Sequence, residues 1–198
     1  MADYQKCIPV VLKFEGGLTD DKYDSGGITN YGVSLAFAKD TGDLEIMDKN
    51  HNGKIDRNDI INLEMEDAVK MFKKYFWDRF GSKKVNGKKV YISLDEIESD
   101  KKAMCVFDIL VNSGHGNAAK LSQRALAKLG YDITVDGAIG PITVKTIQDA
   151  DEDDFCDMLL DLREAFYRKI VENRPTQKCF LKGWLNRNNQ LRKIIASW

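Results

Sequence analysis

Apolar residues recur along most of the chain with the three- and four-residue spacing of an amphipathic α-helix. Such faces run through residues 7–14, 64–80, 102–111, 117–129, 155–170 and 181–196. The first predicted helix ends at Glu15, because Gly16 and Gly17 follow it and break the pattern. Pro9 must then lie in the first two turns, since deeper in the helix it would remove a backbone hydrogen bond. The pattern predicts a mainly α protein.

Strand signals are weak along the chain, with one exception. Short alternating stretches flank Asn86-Gly87 within residues 84–92. Asn-Gly is a strong hairpin signal, because both residues tolerate the positive φ that a type I′ turn needs. The sequence therefore predicts a small β-hairpin in an otherwise helical chain.

Composition places the chain among ordinary globular proteins. It has 198 residues, of which 43% are hydrophobic and 31% charged, so it can bury a core. At roughly 150 residues per domain, this length predicts one domain, or one with a small partner. Thirty basic residues against thirty-one acidic ones give a net charge of −1. A binder of phosphate backbones needs a strongly basic surface, so we expect no nucleic-acid partner.

The start of the chain carries only a short apolar stretch. Residues 7–12 are six in number, against the ~18 that a transmembrane helix needs. They also fall short of the ~7–15 apolar residues in the core of a signal peptide. We therefore expect no transmembrane segment and no signal peptide.

The region after the first helix carries the candidate chemistry. Glu15 stands at a rigid helix end beside Phe14, and a glycine-rich loop with Asp24 and Thr29 follows. A carboxyl group beside an apolar residue can hold a proton, whereas Asp24 on a polar loop is expected to stay ionised. Two carboxyl groups in different environments are the usual apparatus for cleaving a glycosidic bond. The alternative is that Glu15 is a solvated helix-end residue and the glycines only form turns.

Three segments resemble the glycoside hydrolase 108 family of N-acetylmuramidases. The string EGGLTDDKYDSGGITNYGVS, from Glu15 onward, resembles the N-terminal signature of that family. Residues 75–78 (YFWD) resemble its Tyr-Trp-containing helix, and residues 107–114 (FDILVNSG) resemble its FD-x-x-x-N-x-G stretch. The resemblance implies a lysozyme-like helical fold and a catalytic role for Glu15. It also implies hydrolysis of the β-1,4 bond between N-acetylmuramic acid and N-acetylglucosamine, with no cofactor for catalysis.

The spacing of the acidic loop is also similar to the Glu-x8-Asp-x5-Thr pattern of phage-type lysozymes. Eight residues separate Glu15 from Asp24, but only four separate Asp24 from Thr29. The resemblance implies that Asp24 polarises a water molecule and that Thr29 helps to position it. Because one residue is missing, Tyr23 or Asp21 stays open as an alternative to Asp24.

Polar and aromatic residues near the family motifs are candidates for substrate contacts. Sugar rings present C–H faces that stack on aromatic rings, and hydroxyl groups that need hydrogen-bonding partners. Tyr31, Tyr75, Trp77 and Asn112 supply such groups. For each aromatic residue, packing in the core is an equally good interpretation. An amide among apolar neighbours would be costly to bury unpaired, so Asn112 is expected to face the cleft.

Residues 48–59 (DKNHNGKIDRND) follow the register of an EF-hand loop. The side-chain oxygen donors would be Asp48, Asn50, Asn52, Asp56 and Asp59. Lys54, at position 7 of the loop, would donate its backbone carbonyl. Gly53 stands at position 6, where the loop turns sharply. Position 12 is aspartate rather than the usual glutamate, which resembles the shorter dockerin-type loop. We expect a structural Ca²⁺ site, and the alternative is a polar surface turn.

The C-terminal third resembles peptidoglycan-binding modules. Residues 133–143 (ITVDGAIGPIT) resemble a D-G-x-x-G-P-x-T turn, and residues 180–187 (FLKGWLNR) resemble the F-x-x-GW-x-x-R ending of such modules. Trp184 and Arg187 either touch the glycan or its peptide stem, or serve in core packing and a helix salt bridge. We expect residues 1–117 to form the catalytic region, with an EF-hand-like insertion at about 44–62. Residues 118–198 then form a helical module packed on it.

These observations predict a peptidoglycan hydrolase whose partner is the glycan strand. The alternatives are a lytic transglycosylase, or a non-catalytic protein that binds peptidoglycan or interacts through calcium. Because the substrate lies outside the cytoplasmic membrane, we expect release from the cytoplasm by a holin, as for a prophage endolysin, or non-classical export. A role as a secretion activator that loosens the wall is a further expectation. Oligomeric state is left open.

Overall fold

The computed structural model of the protein describes residues 1–20 and 27–198, and helices dominate it. The helices are α1 (Tyr4–Glu15), α2 (Leu35–Thr41), α3 (Leu44–Met47), α4 (Arg57–Ile61), α5 (Met65–Phe72), α6 (Asp100–Ser113), α7 (His115–Lys128), α8 (Pro141–Asp149), α9 (Glu152–Asn173) and α10 (Lys178–Ile195). The strands are β1 (Thr29–Asn30), β2 (Val33–Ser34), β3 (Gly81–Val85) and β4 (Lys88–Ile92). They pair as two antiparallel ladders, β1 with β2 and β3 with β4. The predicted mainly α class is confirmed.

Helix α1 is built as its apolar spacing predicts. Cys7 and Val11 are fully buried on one face. Asp3 precedes the helix, and its carboxylate accepts a hydrogen bond from the backbone N–H of Gln5, 2.8 Å away, as an N-cap does. Pro9 lies in the second turn, within the predicted limit.

The chain divides into two compact units. The first comprises residues 1–7 and 76–198, and the second comprises residues 8–75. The predicted boundary after residue 117 follows sequence motifs rather than this division, and it stays a prediction.

The second unit is small and made of short elements. Ser34 caps helix α2, because its hydroxyl accepts a hydrogen bond from the backbone N–H of Phe37. Helix α4 has a capping box in which the carboxylates of Asp56 and Asp59 accept each other's orphan backbone N–H groups. The core of the unit consists of these buried apolar residues: Ile8, Val11, Ile28, Val33, Ala38, Met47, Ile60, Leu63, Ala68, Met71 and Phe72.

Helix α6 is the centre of the first unit. Its residues 102–110 are all buried, and helices α7, α9 and α10 pack against it. A helix surrounded in this way must be apolar on every face, so a charged residue inside it needs partners. Asp108 is such a residue, and its partners are described with the site.

The β3–β4 hairpin forms where the sequence predicts it. Asn86 and Gly87 link the strands with φ values of +51° and +77°, as a type I′ turn requires. The register pairs Lys84 with Lys89 and Ser82 with Tyr91. The hairpin extends from Gly81 to Ile92, three residues further toward the N-terminus than the sequence indicates.

The predicted helix over residues 64–80 is shorter in the structure. Helix α5 ends at Phe72, and a π-helical turn, Lys73–Trp77, follows. The aromatic residues of that turn continue the apolar pattern, so periodicity alone does not mark the change of helix type.

In the part of the chain that the structure describes, no helix combines the length and apolarity needed to cross a membrane.

Candidate active site

Glu15 is the last residue of helix α1 and is partly exposed. Its side chain lies against Gly32, in the turn between β1 and β2. A Cβ atom added to Gly32 would stand 2.7 Å from both Cβ and Cγ of Glu15 and 3.0 Å from Oε2. No side chain larger than hydrogen fits at this position without moving the glutamate. The side chain of Glu15 therefore packs directly against the turn.

The turn itself has an unusual backbone conformation. Tyr31 and Gly32 adopt φ values of +47° and +79°, the signature of a type I′ turn. Positive φ is uncommon for tyrosine, so the surroundings must hold it in place. The turn thus presents the half-buried ring of Tyr31 directly beside the contact with Glu15.

Asn30 anchors this turn to the rest of the second unit. Its side chain is 5% exposed, and its amide nitrogen donates to the carbonyl oxygens of Ile60 at 3.1 Å and Leu63 at 3.4 Å. Ile60 belongs to helix α4. The position of the turn, and with it the support of Glu15, therefore depends on the C-terminal end of α4.

Thr29 begins the same hairpin. Its backbone exchanges two hydrogen bonds with Thr19, at 2.8 and 2.9 Å, which tie the segment after α1 to β1. Its hydroxyl group donates to the carbonyl oxygen of Gly27 at 3.3 Å. Its proposed role beside Asp24 stays a prediction, because Asp24 and the alternatives Tyr23 and Asp21 lie outside the described residues.

Asp20 and Arg57 form an ion pair that the sequence did not indicate. Two guanidinium nitrogens of Arg57 contact both carboxylate oxygens of Asp20, one of them at 2.8 Å. Asp20 follows the glycines after α1, and Arg57 opens α4. This pair is exposed, so it adds little stability by itself, but it is a second tie between the segment after Glu15 and helix α4.

Tyr75 is held by a charged neighbour. Its hydroxyl group donates to Oδ2 of Asp43 at 2.9 Å, and Lys74 contacts the same oxygen at 2.6 Å. Burial acts to raise the pKa of Asp43, but the hydrogen bonds from Lys74 and Tyr75 outweigh it, so the pKa is lowered. The ring of Tyr75 meets that of Phe37 edge-on. The hydroxyl of Tyr75 therefore serves the fold, and only its half-buried ring remains for the predicted sugar contact.

Trp77 is a core residue, which corrects the prediction that it contacts substrate. It is 0% exposed, and its indole N–H donates to Oδ1 of Asp95 at 2.6 Å. Its ring packs edge-on against Tyr4 and Phe107. Because it is fully buried and its polar group is paired inside the first unit, Trp77 has no surface to offer a glycan.

Asn112 stands at the end of helix α6 and is half-buried. Its Oδ1 accepts hydrogen bonds from the hydroxyl groups of Tyr167 at 2.6 Å and Ser113 at 3.2 Å. These contacts orient the amide oxygen inward. A substrate contact by the amide nitrogen stays a prediction, and it concerns the first unit, whereas Glu15, Thr29, Tyr31 and Tyr75 belong to the second.

One turn earlier on α6, Asp108 forms a buried ion-pair network. Asp108 and Arg163 are both 0% exposed, and their charged atoms lie 2.6 Å apart. Arg187 of helix α10 binds the same carboxylate through Nε and Nη2, at 3.1 and 2.7 Å. The sequence left open whether Arg187 touches the glycan or forms a salt bridge, and the structure places it in the salt bridge.

Trp184 stacks against two aromatic rings. Its ring centroid lies 5.2 Å from that of the buried Tyr167 and 5.9 Å from that of Phe180, which is 53% exposed. Core packing therefore accounts for one face of Trp184.

The EF-hand-like loop turns as its glycine predicts. Gly53 adopts a φ of +78°, and the carboxylate of Asp48 accepts the backbone N–H groups of Asn52 and Gly53 at 3.0 and 2.8 Å. Asp59 is fully buried, and its two oxygens accept the N–H groups of Lys49 and Asp56 at 3.0 and 2.7 Å. Within the described ranges, no three acidic, histidine or cysteine side chains are grouped so as to hold a metal.

Sequence reasoning missed the two residues that support Glu15 from the turn. Gly32 and Asn30 both stand in the quoted motif, but their roles depend on contacts with residues 17 and 30 positions away. The motif Asn-Tyr-Gly does carry a signal for a tight turn, because glycine readily adopts the positive φ that such a turn needs. It does not say what that turn packs against.

A helical fold with a carboxyl group placed at a helix end is an arrangement suited to protonating a glycosidic oxygen. Comparison with known proteins defines the class. The model of the family described as glycosyl hydrolase 108 matches residues 8–114, which is more than half of the chain. A second model, described as a predicted peptidoglycan domain, matches residues 117–189. No curated protein matches the chain.

One similar solved structure is that of SagA from Brucella abortus. It is 22% identical in sequence, with a TM-score of 0.73, over 98% of this chain and 94% of that one. At this identity the likeness shows a shared fold.

The chain belongs to the glycosyl hydrolase 108 family. It is a glycoside hydrolase of the N-acetylmuramidase class, which acts on peptidoglycan, and it carries a peptidoglycan domain after its catalytic part. The enzyme class and substrate predicted from the sequence are confirmed.

Proposed function

We propose that Glu15 is the general acid that cleaves the β-1,4 bond between N-acetylmuramic acid and N-acetylglucosamine. The observation that carries this proposal is the placement of its side chain, at a helix end and packed closely against Gly32. A general acid must hold a fixed position relative to the leaving oxygen. The proton of Glu15 passes to the glycosidic oxygen as the bond to the anomeric carbon breaks. Water then adds to that carbon.

Three further residues have supporting roles in this proposal. Tyr31 offers a ring face for a sugar beside the acid, on a turn whose backbone leaves it little freedom. Asp24 accepts the proton of the attacking water, and Thr29 orients that water. For Thr29 the support is its place on β1, one residue before the anchored Asn30.

Identification of the products tests this chemistry. Purified peptidoglycan is digested with the wild-type enzyme, and the fragments are identified by mass spectrometry. We expect fragments that end in reducing N-acetylmuramic acid. Anhydro ends would instead assign a lytic transglycosylase, because that reaction forms the ring internally and adds no water.

We also propose that the loop at residues 48–59 binds Ca²⁺ as a structural ion. The oxygen-rich donor set suits a hard cation, and the sharp turn at Gly53 supports an EF-hand-like path of the loop. Asp48, Asn50, Asn52, Asp56 and Asp59 would supply side-chain oxygens, and Lys54 its backbone carbonyl. The carboxylates of Asp48 and Asp59 accept hydrogen bonds from backbone N–H groups of the loop. Calcium binding would therefore require these carboxylate oxygens to turn toward the ion.

Calcium binding would stabilise the folded protein and leave the chemistry of Glu15 unaltered. At 100 times its dissociation constant, a ligand adds about 2.7 kcal/mol. For a chain of this size that is roughly 5–10 °C in Tm. We expect Ca²⁺ to raise the Tm of the wild type but not of Asp48→Asn, measured by calorimetry, with Mg²⁺ as the competing ion. About 10 mM Ca²⁺ is well above the dissociation constants of the weakest calcium loops of this kind. An unchanged Tm of the wild type at that concentration would contradict the proposal.

A further inference from the structure

The β3–β4 hairpin carries an excess of positive charge that is only partly balanced by ion pairs among the described residues. Lys83, Lys84, Lys88 and Lys89 lie on its ten strand residues. Lys84 and Lys89 stand directly opposite each other, a pairing of like charges that destabilises a hairpin. Lys83 contacts Glu96 at 3.9 Å, whereas Lys84, Lys88 and Lys89 form no ion pair with the described residues. In a chain of net charge −1, this concentration is local rather than a consequence of composition.

The alternation of side chains sorts these charges onto two faces. Lys84, Lys89 and Tyr91 share one of them, which we name the tyrosine face. The other face carries Lys83 and Lys88 together with two exposed valines, Val85 and Val90. One face is therefore cationic and aromatic, and the other is cationic and aliphatic.

Two cations flank the exposed ring on the tyrosine face. The guanidinium of Arg79 and the ammonium of Lys89 each lie 4.9 Å from the ring centroid of Tyr91, which is 46% exposed. Removal from water lowers the pKa of His115, whose ring stacks on Phe76, and the charges of Arg79 and Lys89 lower it further.

The hairpin is held firmly at its base. The backbone N–H of Ser82 donates to the carbonyl oxygen of Ile139 at 2.9 Å. A Cβ atom on Gly81 would stand 2.6 Å from that carbonyl oxygen, so glycine is needed for the close approach. The loop that carries Ile139 is itself fixed by the buried Gln123, which accepts the N–H of Gly137 at 2.8 Å. A backbone held in this way loses little conformational entropy on binding.

We propose that the tyrosine face, with Arg79, binds the carboxylate groups on the peptide stems of peptidoglycan. Guanidinium and ammonium groups pair with carboxylates, and the ring of Tyr91 offers an apolar surface to the stem between its charges. Single exposed ion pairs are weak, so several must act together, and salt must weaken the interaction. A lipid surface would engage the face with Val85 and Val90 instead. This site rests on the proposed function of the protein in peptidoglycan cleavage but contains none of the residues proposed for catalysis.

Co-sedimentation of the full chain with intact peptidoglycan sacculi, on ice, tests the proposal. One set of sacculi is native, and in the other the stem carboxylates are converted to amides. Lys84→Gln/Lys89→Gln removes two charges from the tyrosine face, and Lys83→Gln/Lys88→Gln removes the same number from the opposite face. We expect the first pair to weaken binding to native sacculi about 3- to 10-fold at low salt, with no effect on amidated sacculi. The second pair should bind as the wild type does.

Three results would overturn the proposal. Equal weakening by both lysine pairs would show a general charge effect rather than a site. Undiminished binding of the wild type to amidated sacculi would exclude the stem carboxylates as the partner. Binding to vesicles of equimolar phosphatidylglycerol and phosphatidylcholine that is lost in Lys84→Gln/Lys89→Gln, with binding to sacculi kept, would assign the face to a membrane. Because the readout is binding and not cleavage, its failure leaves the role of Glu15 untouched, and the reverse also holds.

Discussion

Replacing Glu15 by glutamine reduces the rate of peptidoglycan cleavage by at least about 100-fold, the lower end of the contribution of a general acid. Glutamine keeps the size of the side chain and its contact with Gly32, but it has no proton to give to the glycosidic oxygen. The measurement is the clearing of a sacculus suspension together with the release of reducing ends. The thermal unfolding of the variant should match that of the wild type.

Matched variants separate the chemistry of Glu15 from its placement. Glu66→Gln is the same substitution at an exposed position of helix α5 and should leave the rate unchanged. Gly32→Ala should lower activity, because its Cβ would stand 2.7 Å from the side chain of Glu15. Gly87→Ala bears a similar backbone strain at a φ of +77°, with nothing within 4 Å, and should keep full activity. If Glu15→Gln cleaved peptidoglycan at more than a tenth of the wild-type rate, Glu15 would not be the general acid.

The long helices and the β3–β4 hairpin could be predicted from local pattern alone. Helices α6, α7, α9 and α10 each carry an apolar face over three or more turns. Asn86-Gly87 specifies its turn through the backbone preferences of two residues. These elements depend on neighbours in sequence, so the signal for them lies within one window of the chain.

What the pattern did not reveal depends on distant contacts. Trp77 and Tyr75 are both aromatic and lie two residues apart, yet one is fully buried and the other is half-buried. Periodicity gives no sign of this difference, because core and cleft use the same residue types. The motif located Glu15 at the end of its helix, but the support from Gly32 and Asn30 arises only when the chain has folded. The position of the second carboxylate, Asp24, lies outside the described residues.

The largest effect on stability is expected at Asp108. Its carboxylate joins helices α6, α9 and α10, through Arg163 and Arg187. Removing one partner of a buried ion pair leaves the others charged and unpaired, at a cost of about 3–5 kcal/mol. Asp108→Asn should therefore lower the free energy of unfolding by that amount in urea titrations, or Tm by roughly 6–20 °C. Asp149 forms an exposed ion pair with Lys145, so Asp149→Asn should change the free energy of unfolding by about 0.5 kcal/mol or less.

The dependence of this effect on pH distinguishes a charged network from mere packing. Burial acts to raise the pKa of Asp108, but Arg163 and Arg187 outweigh it and hold the pKa below its ordinary value. A group whose pKa is lowered on folding stabilises the protein above its unfolded pKa, and that contribution is lost as the pH falls through the folded value. The difference in the free energy of unfolding between the wild type and Asp108→Asn should thus be constant from neutral pH down to about pH 4, and it should shrink below that pH. A difference that stays constant below pH 4 would mean that shape, not charge, is what Asp108 contributes where the three helices meet.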